Sequence, residues 1–280
     1  MAVDRLIERN LMETKTIHRC KSKAIRWFGY PDIHFPDQDP EALAVAEAAQ
    51  RSFDPDCVIT GNDLLNCTPF SRYPKQTIED GAIVDFKATE LVPANAFIDR
   101  VQAHTGHTYF LEGNHDAWLE RWTANQGHAA MALHSLTSVK SNLSLGRKDF
   151  TYIRQLSSKH DRTSSIQLHP KLICVHDWCA TKYAAGWHRE KSPFQSVIFN
   201  HTHRMQSDTL TYPCSDMPTT AMSAGCLCNR IPMYGHTGSP TGWTHGFWVA
   251  YVGCDDFTLY SVPINKGRTI LPSGKEVKIV

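Results

Sequence analysis

Residues 24–36 read AIRWFGYPDIHFP: an apolar run, Ala24–Tyr30, that stops at a proline and delivers Asp32 and His34. The run is short and rich in aromatic and branched residues, which predicts a buried strand. The same grammar returns along the chain. Cys57–Thr60 runs into Gly61-Asn62-Asp63, and His107–Leu111 into Gly113-Asn114-His115-Asp116. In the second half, Lys171–Val175 runs into His176, and Ser196–Phe199 into Asn200-His201-Thr202-His203. Between the early runs lie helical patterns. Pro40–Phe53 has Asp39 as N-cap, Pro40 at the first helical position and Glu41 in the first turn, and Glu90–His104 follows the helical period. Strands alternating with helices predict βαβ units and a largely parallel sheet, whose ligands gather at the carboxyl ends of the strands.

Further strands are expected at Thr219–Ser223, Phe247–Val252 and Phe257–Val262, and the polar stretch Ser135–Ser165 reads as irregular connection. With no repeat and no linker, the expected organisation is an N-terminal arm, 1–22, and a single domain, 23–280, of two packed sheets.

The donor types decide the chemistry. Carboxylate, imidazole and amide oxygen together suit a borderline divalent ion. In an extended chain, residues i and i+2 face the same way, so Asp32 with His34, and His201 with His203, are expected to converge if the strands extend that far. The donors exceed four, which suits two ions sharing a carboxylate better than one tetrahedral ion.

Composition narrows the class. Hydrophobic residues make up 41% of the 280, and the mean hydropathy is −0.36. No apolar run approaches the ~18–20 residues of a membrane span. The opening MAVDRLIERN is polar, without the apolar segment of a secretory signal, so a cytoplasmic protein with no membrane partner is expected. The 29 basic and 28 acidic residues give a net charge of +1, against a strongly non-specific nucleic-acid binder. Local basic clusters remain, one at Arg19, Lys21, Lys23 and Arg26, another at Arg147, Lys148, Arg154, Lys159 and Arg162. The nine cysteines contain no C-x-x-C pair and read as reduced core thiols; Cys226 and Cys228 are the only close spacing. Trp118, Trp122 and Trp187 are expected in the core, with base stacking the alternative.

These blocks, in this order, resemble the calcineurin-like metallophosphoesterases, whose signature runs D-x-H, G-D-x-x-D, G-N-H-D/E, H and G-H-x-H. The match spans roughly residues 24–204. IHFP (33–36), NCTPFSRYPK (66–75), THR (202–204) and SAGCLC (223–228) further resemble the phage-encoded branch, which would place the chain in a host cytoplasm. The resemblance implies a four-layer α/β/β/α sandwich of two mixed sheets, with the strands after Gly225 completing the second sheet. It implies two divalent ions, manganese first, with iron, zinc, nickel or magnesium as alternatives. Asp32, His34 and His203 would hold one ion, Asn114, His176 and His201 the other, and Asp63 would bridge them. His115 would act as general acid or transition-state cation, oriented by Asp116 through a hydrogen bond, and Arg72 or Arg204 would meet the substrate phosphate.

The implied activity is hydrolysis of phosphate esters by a metal-bridging hydroxide. Phosphodiesters of nucleic acid or nucleotides are preferred over phosphomonoesters or phosphoproteins as substrate. The alternative class is a non-catalytic interaction scaffold, which would normally have lost donors that are all present here. Three positions depart from the signature: Asn62 and Asn200 stand where it has glycine, and Asn66 where it has aspartate. Asparagine is the non-glycine residue most tolerant of positive φ, so the first two exchanges are lenient.

Overall fold

In a computed structural model, residues 15–16, 23–70, 85–127, 132, 137–155, 164–177, 179–213, 215–230 and 242–279 are described. Arg72, Lys159, Arg162 and all of the N-terminal arm except Lys15–Thr16 lie outside these residues.

The strands in chain order are β1 (Lys15–Thr16), β2 (Ile25–Gly29), β3 (Cys57–Gly61), β4 (His107–Leu111), β5 (Phe150–Ile153), β6 (Ser165–His169) and β7 (Leu172–Val175). They continue as β8 (Ser196–Ile198), β9 (Met205–Leu210), β10 (Thr219–Ala224), β11 (Gly246–Val252), β12 (Phe257–Pro263), β13 (Arg268–Ile270) and β14 (Glu276–Lys278). The helices are α1 (Pro40–Phe53), α2 (Val92–Gln102), α3 (Trp118–Asn125), α4 (Val139–Asn142) and α5 (Ala184–Lys191).

One six-stranded sheet runs β12-β11-β2-β3-β4-β5 and a second β1-β6-β7-β8-β10-β9, both mixing parallel with antiparallel pairs, while β13 and β14 form a separate antiparallel pair. Period-2 alternation builds the layers. Trp27, Ile59, Tyr109, Leu111, Trp248 and Ala250 face Leu172, Cys174, Ile198 and Met222 between the sheets. Their neighbours Phe28, Val58, Phe110, Phe247 and Val249 point the other way, onto α1 and α2. On the far side, Ile173, Val175, Val197 and Phe199 carry Ala184 and Ala185 of α5. The order helix, sheet, sheet, helix is the expected four-layer α/β/β/α sandwich.

Helix α1 starts as read: the Asp39 carboxylate accepts from the Ala42 N–H at 2.8 Å. Close packing of the inter-sheet core requires Gly29, where a Cβ would sit 1.9 Å from the Trp248 ring.

Several expectations need correction. The C-terminal strands β11 and β12 do not complete the second sheet. β11 pairs antiparallel with β2 and extends the first, covering the edge that β2 would otherwise expose. The stretch 135–165 is not wholly irregular: α4 lies within it, and β5 pairs parallel with β4. Cys254 is disulfide-bonded, not a reduced core thiol; it sits in the turn between β11 and β12. Trp122 and Trp187 are exposed, because each stands on the outer face of its helix, while Trp118 is half-buried.

Candidate metal centre

Strands β2, β3 and β4 run parallel in one sheet, and β7 and β8 parallel in the other. The donors follow their carboxyl ends. Beyond the strands the first two loops stay in step: Asp32 N–H donates to the Asn62 carbonyl at 3.1 Å, and His34 N–H to the Asp63 carbonyl at 3.0 Å. The convergence is not that of an extended strand, as the i, i+2 argument expects. β2 ends at Gly29 and β8 at Ile198, and Asp32, His34, Asn62, Asp63, His201 and His203 all have positive φ, between 39° and 66°. Left-handed turns, not pleats, aim these side chains inward. Such backbone is costly for non-glycine residues and persists where the surroundings enforce it. Asn62 is among the positive-φ residues, as its tolerance predicts; Asn200 is not, and the strain falls on the two histidines after it.

The side chains meet around Asp63. Its Oδ2 lies 3.2 Å from His176 Nε2, 3.8 Å from His201 Nδ1 and 3.9 Å from His34 Nε2. Asn114 Oδ1 is 2.9 Å from His176 Nε2. On the other flank, His203 Nε2 is 3.4 Å from Asp32 Oδ1 and 3.2 Å from His34 Nε2. The Asp32 carboxylate accepts from the His201 N–H at 3.0 Å, tying the two sheets together across the centre. All seven sequence-predicted donors thus lie in one cluster.

The electrostatics of the cluster ask for positive charge. Burial opposes ionisation of Asp63, yet the His176 and His115 imidazoles hold its pKa well below the usual carboxylate range. Burial also works against protonation of His176, but the charges of Asp63, Asp32 and Asp177 push it up to about 9. Burial carries His34 well below its ordinary value.

Two buried atoms at the focus, Asp63 Oδ2 and His201 Nδ1, make no regular hydrogen bond among the described residues. A buried carboxylate oxygen with no well-formed hydrogen bond is expensive unless a cation meets it, whether the protonated His176 imidazole or a metal ion. That orphaned pair, ringed by imidazole and amide donors, fits divalent ions.

The remaining predicted residues take other places. His115 N–H donates to Asp63 Oδ1 at 2.8 Å, its ring stacks on Trp118 with centroids 3.8 Å apart, and its Nδ1 is 3.1 Å from the Asn66 carbonyl. Asp116 therefore is not the partner expected for His115. Its carboxylate is fully buried and accepts from the backbone N–H groups of Gly113, Leu65 and Asp63, so it fastens the β3 and β4 loops to each other. Burial and the nearby charge of Asp63 push its pKa to about 7. Arg204 donates to the Thr181 carbonyl at 2.9 Å, next to the cluster through His203.

Asp177 and Trp243 escaped the sequence reading, whereas Asn66 was noted there only as a departure from the signature. Asp177 Oδ2 lies 3.5 Å from His201 Nε2. Asn66 Oδ1 is 3.2 Å from His34 Nδ1, and Trp243 packs on His203 with ring centroids 4.1 Å apart. Asp177 follows His176 directly, the one local signal available for it; Trp243 is distant in sequence and carried none.

Fold and cluster together define a four-layer α/β protein with a buried Asp/His/Asn donor set where the strands of both sheets end. No family model matches the sequence, and no curated protein matches it. Solved structures similar to the chain include vacuolar protein sorting 29 from Cryptosporidium parvum, with 10% identity, a TM-score of 0.46 and coverage of 92% of this chain and 100% of that one. Two more are a single mutant of Vps29 from Entamoeba histolytica (9% identity, TM-score 0.41, 91% and 100% covered) and Vps29 from Chaetomium thermophilum (8%, 0.41, 91% and 95%). The functional reading below rests on this chain's own residues.

Proposed function

We propose that this chain is a two-metal phosphoesterase that hydrolyses phosphodiesters of nucleic acid or nucleotides. The observation that carries the reading is the Asp63 carboxylate: fully buried, with one oxygen lacking a regular hydrogen bond and three imidazole nitrogens within 3.9 Å of it. Asp32, His34 and His203 would hold one divalent ion, and Asn114, His176 and His201 the other, with Asp63 between them. When bound, such ions supply charge to the phosphoryl oxygens and acidify a water for in-line attack.

The chain's own residues supply the rest. The Asn66 carbonyl accepts from His115 Nδ1–H, which fixes the tautomer and leaves Nε2 as the nitrogen that takes up or releases a proton. His115 Nε2 is the assigned donor to the leaving-group oxygen. Trp118 holds the ring by stacking, and the bond from His115 N–H to Asp63 Oδ1 couples acid and carboxylate rigidly. Arg204 stands beside His203 as the residue assigned to the substrate phosphate, with Arg72 the second assignment from sequence.

The preference for diesters rests on the local basic clusters and on the exposed Trp122 and Trp187 rings, which offer stacking surface. Placement in the phage-encoded branch, with a host-cytoplasmic location, rests on sequence motifs alone.

The test is a hydrolysis screen with Mn²⁺ across bis-p-nitrophenyl phosphate, p-nitrophenyl phosphate, cyclic nucleotides, and single- and double-stranded DNA. Turnover of diesters is expected. Turnover of p-nitrophenyl phosphate alone would make the protein a phosphomonoesterase. Bound Mn²⁺ without turnover of any substrate would favour the interaction scaffold.

A further inference from the structure

The His203 imidazole faces donors on both sides. Its Nε2 points to Asp32 and His34, while its Nδ1 lies 3.6 Å from Cys228 Sγ. Cys226 completes a second group: one donor atom each from His203, Cys226 and Cys228 lie within 4.8 Å of one another, and all three residues are buried. Both thiols are free. They follow β10 past the left-handed Gly225, and each sits in an isolated bridge, Cys226 with His245 and Cys228 with Gln38. Cys226 N–H donates to the Thr244 carbonyl at 2.9 Å and Leu227 N–H to the Asp32 carbonyl at 3.0 Å. Leu227 enters the apolar core under α1, while Cys226 and Cys228 lie together on the side of His203.

We propose that His203 Nδ1, Cys226 Sγ and Cys228 Sγ form a separate site for a thiophilic divalent ion of the Zn²⁺ or Cd²⁺ type. Two sulfurs and an imidazole nitrogen are a soft set, unlike the oxygen-rich set around Asp63, and three protein donors leave a fourth position for solvent. Charge favours a dication: on binding, both thiols release their protons to solvent, and two thiolates with a neutral imidazole balance a charge of +2. A buried pocket accepts a neutral assembly far more readily than a charged one. A neutral imidazole has one lone pair. An ion on Nδ1 therefore competes with an ion on Nε2 unless the ring loses its last proton, so a thiophilic ion here would antagonise the centre around Asp63.

The test uses the full chain with the half-buried thiols Cys57 and Cys179 replaced by serine, titrated with Cd²⁺ and followed by cadmium–thiolate ultraviolet absorption. The site predicts an absorption that survives Asp63→Asn and is abolished by Cys226→Ser and by Cys228→Ser, with near-ultraviolet circular dichroism unchanged. His203→Ala should weaken Cd²⁺ binding at least about tenfold, since even a residue that only supports a ligand is worth about 10–100-fold. Should either serine variant fail to fold, Cys226→Ala or Cys228→Ala takes its place. An absorption indifferent to both cysteines, or one that disappears with Asp63→Asn alone, overturns the site. Neither result bears on phosphoester hydrolysis, which the substrate screen reads separately.

Discussion

Gly113 and Asp63 are packed too closely for any side chain to come between them. A Cβ on Gly113 would lie 2.1 Å from Asp63 Oδ1 and 2.2 Å from the Asp63 backbone nitrogen. Both of these Asp63 atoms are already engaged, Oδ1 by His115 N–H and the nitrogen by the Asp116 carboxylate. Gly113→Ala must therefore push Asp63 out of place. Isothermal titration should show Mn²⁺ binding weakened at both positions, with hydrolysis lost alongside it. Unchanged Mn²⁺ affinity would show that Asp63 does not organise the centre.

Asp63→Ala removes the carboxylate itself. The expected result is loss of turnover and of tight binding at both cation positions, because His176 and His201 then face each other without their common anion. Full turnover in this variant would remove Asp63 from its bridging role.

His115→Ala leaves the seven donors and the backbone bond to Asp63 intact, and removes the imidazole with its Nε2 proton, its stack on Trp118 and its bond to the Asn66 carbonyl. Mn²⁺ stoichiometry should stay the same while kcat falls by roughly 10²–10⁴-fold, the usual scale for an acid–base group. Loss of bound metal in this variant would place His115 among the ligands instead.

Glu112, just before Gly113, gives a pH signature of stability. Burial pushes its pKa to about 7 against an ordinary 4.5, despite hydrogen bonds from Tyr152 Oη and Gln155 N–H, both at 2.6 Å. Below the ordinary value both folded and unfolded chains hold the proton. As pH rises from there to about 7, only the unfolded chain releases it, so this residue's contribution to stability is lost across that window and is flat above it. Glu112→Gln abolishes the dependence. In urea unfolding at pH 5, 6, 7 and 8, the variant should gain on the wild type as pH rises, whatever constant offset the amide adds. Parallel pH profiles would contradict the assignment.

Gly29→Ala tests the inter-sheet core. Its Cβ would meet the Trp248 ring at 1.9 Å, in a position where Gly29 and Trp248 are direct cross-strand partners. Overpacking of this kind costs about 1–3 kcal/mol, which should appear as a lower urea midpoint with the denaturant slope unchanged.

The sequence by itself determined the elements and the donor set. Runs such as Leu172–Val175 are buried on both faces and carry an uninterrupted apolar signal, and the Asp39-Pro40 start of α1 is a local capping signal; both are properties of neighbouring residues. The order of Asp32, His34, Asp63, Asn114, His176, His201 and His203 after apolar runs was equally legible, since the donors follow the ends of five strands, β2, β3, β4, β7 and β8. What only the tertiary structure decided depends on partners distant in the chain. The edge taken by β11 and β12 follows from β2 lacking a neighbour there. The left-handed turns at Asp32, His34, His201 and His203 are enforced by the facing loops, not by the residues themselves. Asp116 leaves His115 to the Asn66 carbonyl because three backbone N–H groups from two loops meet at its carboxylate, a convergence that no spacing along the chain encodes.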